Sequence, residues 1–112
     1  MSIKDTYRIY GYTYHLYASE FIGTNDKGLK RFRAIYCHSG DPDIYEVMIL
    51  REMPPDEFIK QYTNYIKYPG TSQWGKLAWT HFTLENAFKK YNEIPSILVT
   101  SARETFISAL EG

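Results

Sequence analysis

The segment from Tyr7 to Tyr17 (YRIYGYTYHLY) constrains this chain more than any other stretch. It holds five of the eleven tyrosines, together with Ile9 and Leu16. Aromatic and β-branched residues favour a pleated, half-buried surface, and the segment is poor in helix formers. It is therefore expected to be a strand, running from Thr6 to Ile22. In a strand, alternate residues share a face. The even positions Tyr10, Tyr12, Tyr14, Leu16 and Ala18 form the better core face. The odd positions Tyr7, Ile9, Gly11, Thr13, His15, Tyr17 and Ser19 form the other. Gly11 marks a bulge or a close approach of another backbone, and a strand of this length is expected to bend there.

Turn signals divide the next thirty residues. Asn25-Asp26-Lys27-Gly28 and Ser39-Gly40-Asp41-Pro42-Asp43 carry residues that form local side-chain bonds or accept positive φ. Between and after them lie a strand from Leu29 to His38 and a more apolar one from Ile44 to Arg51. Two hairpin-length connections make these a three-stranded antiparallel meander. Met53-Pro54-Pro55 then introduces a helix. Pro55 suits its first position, and Phe58, Ile59, Tyr62, Tyr65 and Ile66 form an apolar stripe.

Trp74, Leu77, His81, Leu84, Phe88 and Tyr91 repeat at spacings of three and four, which predicts a second helix from Thr71 or Ser72 to about Tyr91. Gly75 opposes it, and the rival reading makes Trp74 to Phe82 a strand with Thr83 capping a shorter helix. From Pro95, the ladder Leu98, Ala102, Phe106, Ala109 and Leu110 predicts a third helix. Its rival is a short fourth strand at 97–100, followed by a capping box at Ser101 and Glu104. The expected fold is thus a single α+β domain over residues 1–112: a three-stranded meander followed by three helices packed on one sheet face.

Size and charge narrow the function classes. With 112 residues the chain is long enough to bury a core without disulfides or metals. Its formal charge of zero supplies no global field to attract nucleic acid or an anionic membrane. One cysteine, no apolar leader and no long apolar run point to a cytoplasmic setting with no membrane association. The strong catalytic and phosphate-binding motifs are absent, and no cofactor is implied.

Weaker candidates remain. Cys37 could be a nucleophile only if His15, His81 or another residue supplied a base, because adjacent His38 points to the opposite face. Otherwise it is a small buried residue. His38, Asp41 and Asp43 have ligand chemistry for a divalent cation, but a Gly-Asp-Pro-Asp turn contains the same residues for conformational reasons. Lys27, Lys30, Arg31 and Arg33 form a basic cluster beside tyrosines, the pattern of a single-strand nucleic-acid surface, or of charges that protect a strand edge. Six carboxylates against Arg51 between Asp41 and Glu57 make the charge asymmetric.

Trp79 lies off the helical stripe and is expected to be exposed, as binding tryptophans often are. The leading expectation is a non-catalytic protein-binding domain, open to homodimerisation. Its surface residues would be Tyr7, Ile9, His15, Tyr17, Arg31, Arg33 and Trp79. Compact, motif-poor, aromatic-rich chains of this kind fit an accessory protein of a phage or mobile element that blocks a host protein, by analogy of size and style. The alternatives are a single-strand nucleic-acid module on the first hairpin, and a small hydrolase or metal-dependent enzyme at Cys37 or His38/Asp41/Asp43.

Overall fold

The computed structural model describes residues 3–96. Six strands form one antiparallel sheet: β1 (Thr6–Ile9), β2 (Tyr12–Thr24), β3 (Lys30–His38), β4 (Ile44–Met53), β5 (Tyr65–Lys67) and β6 (Ala78–His81). The order is β1-β2-β3-β4, and both β5 and β6 pair with the far edge of β4. β5 meets its C-terminal end and β6 its N-terminal half. Among the described residues one α-helix, α1 (Leu84–Glu93), comes after β6.

The tyrosine-rich segment is two strands rather than one. Tyr10 and Gly11 have φ of 49° and 84°, the left-handed pair of a two-residue hairpin turn. Arg8 braces the turn, its guanidinium donating to Gly11 O and Thr13 Oγ1. The turn sets Tyr7 opposite Tyr14 and Ile9 opposite Tyr12. Cross-strand partners share a face, so these four residues lie together and the expected odd–even division fails. A second break lies between Leu16 and Ala18, where the register of β2 on β3 shifts. Leu16 joins one core and Ala18 the other.

The expected meander with three helices is replaced by a mostly β architecture. Pro54 and Pro55 do not start a helix. Asp56 accepts from Phe58 N to cap a single 3-10 turn, Glu57–Ile59, which Lys60 ends at φ 57°. Tyr65 and Ile66 enter β5, while Phe58, Ile59 and Tyr62 face solvent. Tyr65 and Ile66 are residues that pair well in sheets, and the open edge of β4 offers these two backbone partners, so the stripe is split between a strand and an exposed loop. From Thr71 the long helix is absent and the rival strand is present in shortened form: another 3-10 turn and Gly75 at φ 91° precede β6, which covers Ala78–His81 and not the whole of Trp74 to Phe82. Thr83 accepts from Asn86 N to cap α1. The third helix and the alternative strand at 97–100 lie outside the described residues.

Each sheet face has a core. Tyr14, Ala34, Tyr36, Met48, Leu50 and Ala78 form one. Ile22, Ile35 and Val47 form the other with Ala87, Tyr91 and Ile94, which belong to α1 or come just after it. The sheet curls around the first. Flat, β1 and β5 would stand about 19 Å apart, four inter-strand steps. Yet Tyr7 stacks on Tyr68, just after β5, with centroids 4.7 Å apart. Tyr36, wholly buried between them, donates to Lys4 O at 2.7 Å and lies 3.2 Å from the Tyr68 hydroxyl. Burial and these neighbours push its phenol far above the ordinary tyrosine range.

Candidate functional site: an aromatic groove above a buried carboxylate

The tyrosine closure fills one end of the concave face. At the other end a groove of about 360 Å³ stays open. The β1–β2 hairpin supplies Ile9, Tyr10, Tyr12 and Tyr14, the start of β4 supplies Ile44 and Glu46, and the β5–β6 connection supplies Thr71 and Trp74. Thr80 and Phe82 complete it. Five of these ten residues are aromatic. Tyr10, Tyr12 and Phe82 are 80%, 53% and 59% exposed and form the rim. Tyr10 holds its position with a left-handed backbone that a glycine or asparagine would adopt with less strain.

Glu46 lies beneath the rings at 4% exposure. Its Oε2 accepts from the Trp74 indole N–H at 2.8 Å and from the Thr80 hydroxyl at 3.0 Å. The indole N–H also reaches Thr80 Oγ1 at 3.0 Å, so the three groups form one small network. Burial raises the Glu46 carboxyl above the ordinary glutamate range, and the two donors only partly oppose this. Burial, and next the charge of Glu46, push the Tyr14 phenol up as well. An acidic, hydrogen-bonded spot thus sits in an otherwise apolar groove. Rings, a few polar groups and a volume of a few hundred Å³ are what small-ligand and side-chain pockets are made of. The tyrosine periodicity hints at these walls. Glu46, inside an apolar strand, gives no signal beyond being a charge among Ile, Val and Met.

The seven expected surface residues are divided between the two faces. Tyr7 and Ile9 are half-buried against the concave core, and Ile9 lines the groove. His15, Tyr17, Arg33 and Trp79 belong to the opposite, helix-bearing face. Tyr17 meets Phe88 edge-on at 5.9 Å, and Trp79 lies half-buried 4.2 Å below Lys90 Nζ. Arg33 is occupied: it pairs with Glu20, donates to Tyr91 O and Ile94 O at 2.9 and 3.1 Å, and covers the Tyr91 ring. Arg31 stands directly across from Arg51, which in turn pairs with Lys67, so three cations cross three strands in a row. Burial, and then repulsion from Arg51, lower the Arg31 pKa.

The strand register places His15 directly across from Cys37, and Tyr45 on the far side of Cys37. Cys37 is half-buried. His38 faces the other way, with its ring 4.8 Å from that of Tyr12 and Nδ1 3.0 Å from Thr13 O. Asp43 accepts from Gly40 N, the bond of a local turn, and Asp41 is exposed. Among the described residues no three His, Cys, Asp or Glu side chains converge as metal ligands. No described helix is long and apolar enough to cross a membrane.

A second exposed apolar feature lies at the other end of β4. The loop to β5 is tied by paired backbone bonds between Asp56 and Gln61. It presents Phe58, 99% exposed, with Ile59 and Tyr62. No family model matches this chain, and neither the curated proteins nor the solved structures contain a match to it.

Proposed function

We propose that this chain is a non-catalytic binding domain that receives a segment of a protein partner in the concave aromatic groove. The observation that carries the reading is the exposed rim of Tyr10, Tyr12 and Phe82 around a recess floored by Trp74 and Glu46. Tyrosine and tryptophan offer wide contact area at low rotamer cost, and they dominate binding hot spots. Strand and turn backbones fix these rings before a partner arrives, which lowers the ordering cost of binding. A cytoplasmic setting belongs to the same proposal, since the lone Cys37 has no second cysteine to pair with.

Single-strand nucleic-acid binding is less well supported. That mode needs cations interleaved with stacking rings. Here Arg31 and Arg33 lie across the sheet from Tyr12 and Tyr14, and Arg33 is held by the end of α1. The test is selection of random displayed peptides on the immobilised domain. Enrichment on the wild type that Tyr12→Ala and Phe82→Ala each abolish, with both variants folded, is the expected result. Equal enrichment on the variants, or none on the wild type, overturns the reading.

A further inference from the structure

Glu46 is an expensive residue to keep where it is. A carboxylate removed from water needs donors or a countercharge. Its described hydrogen bonds, from Trp74 and Thr80, both end on Oε2. The ion pairs among the described residues join Arg33 to Glu20 and Lys90 to Glu93, and neither involves Glu46. Its neighbours on the groove wall are Tyr12, Tyr14 and Trp74, rings whose faces carry negative electrostatic potential. An apolar occupant would leave Oε1 without a donor, and an anionic one would meet both the carboxylate and the ring faces. A cation is attracted by both.

We propose that the groove takes the cationic side chain of a protein partner, a lysine ammonium or arginine guanidinium, enclosed by the aromatic rings with Glu46 as its countercharge. The alkyl stem of such a side chain would lie along Ile9, Ile44 and Phe82 while its head reaches the carboxylate. This proposal rests on the protein-binding reading and adds the chemistry of the residue recognised.

The chain has two tryptophans, so ¹⁵N labelling gives two indole signals, and Trp79→Phe identifies that of Trp74. The probes are the Nα-acetyl methylamides of lysine, arginine and norleucine. The first two are expected to shift the Trp74 signal saturably, and norleucine, of similar shape and no charge, to bind about tenfold more weakly. Glu46→Gln can still accept from Trp74 and Thr80, and is expected to stay folded while losing the preference for the cations. Norleucine binding as well as lysine, or an unchanged preference in folded Glu46→Gln, overturns the cation proposal and leaves the protein-binding reading intact. If neither cation shifts Trp74, the cation proposal falls. If displayed peptides are also not enriched, both fall.

Discussion

Arg33 separates a residue that binds a partner from one that holds the fold. Its side chain is 16% exposed, and its guanidinium donates to the carbonyls of Tyr91 and Ile94, where α1 ends and the helix dipole is negative. Hydrogen bonds to a charged group contribute about 1.5 to 3 kcal/mol each, although two from one side chain are not additive. The ring of Tyr91, 4.4 Å away, adds about 0.5 to 1 kcal/mol. Glu20 is 54% exposed, and solvent screening leaves its ion pair about 0.2 to 1 kcal/mol. Arg33→Ala is therefore expected to cost about 3 kcal/mol, and Glu20→Ala less than about 1. Urea unfolding followed by tryptophan fluorescence measures both, and the Arg33 loss corresponds to a fall in Tm of roughly 12 °C for a chain of this size. Arg33→Lys keeps the charge but not the fork, and should fall between the two. If Arg33→Ala costs less than about 1 kcal/mol, or no more than Glu20→Ala, the clamp on α1 is not what Arg33 contributes.

The two buried glutamates should respond to pH in opposite senses. The raised Glu46 pKa means that the native state keeps a proton the unfolded chain releases. Its contribution is then greatest below the ordinary glutamate range and declines as pH rises from that range through the raised folded value, so Glu46→Gln should flatten this decline and stabilise the protein at pH 7. Glu52 accepts from Lys30 N, which lowers its pKa, and from Asn64. Its contribution is present above the ordinary range and lost as pH falls through the lowered value, so Glu52→Gln should remove that acid-side loss in the same melting series. Tyr10→Asn should stabilise the hairpin by about 0.5 to 1 kcal/mol by relieving positive φ and, under the cation proposal, weaken lysine binding; denaturation and the Trp74 titration read the two effects separately. Phe58→Ser should change stability by less than about 0.5 kcal/mol in the same denaturation series, because the ring contributes nothing to the core.

The strands Lys30–His38 and Ile44–Met53 and the turns that precede them are legible in the sequence because local chemistry decides them, whereas the turn that splits the first expected strand is not. Asn25 Oδ1 accepts from Lys27 N and Leu29 N, and Gly28 takes φ 78°, as the residue types imply. The stretch between Pro55 and Ile66 misleads because spacing alone cannot tell an apolar helix face from an exposed loop, Phe58 to Tyr62, followed by residues that pair with an unseen strand edge, Tyr65 and Ile66. Only the free side of β4 decides that. The groove is half legible. Tyr12 and Tyr14 belong to a visible pattern, but the turn at Tyr10 and Gly11 reassigns Tyr7 and Ile9 to their face. Trp74, Thr80 and Phe82 arrive from some sixty residues away through strand pairing that no local signal encodes.

The same geometry explains why the groove exists. Helix α1 covers one sheet face through Ala87 and Tyr91, and no described helix covers the other. The sheet curls over that second face, and Tyr7, Tyr36 and Tyr68 lock it at one end. β5 and β6 share the edge of β4 but not its length, so the connection between them carries Trp74 across the concave side and stops there. Beyond Trp74 the wall is left to tyrosines, which tolerate one wet edge, and to Phe82. A core built only for stability would fill this space with aliphatic side chains and replace Glu46. The chain instead keeps a buried acid, three exposed rings and a tyrosine at φ 49°, each of them costly to the free protein. Those costs fall together around one cavity, and this clustering is the support that the fold lends to the proposed binding role.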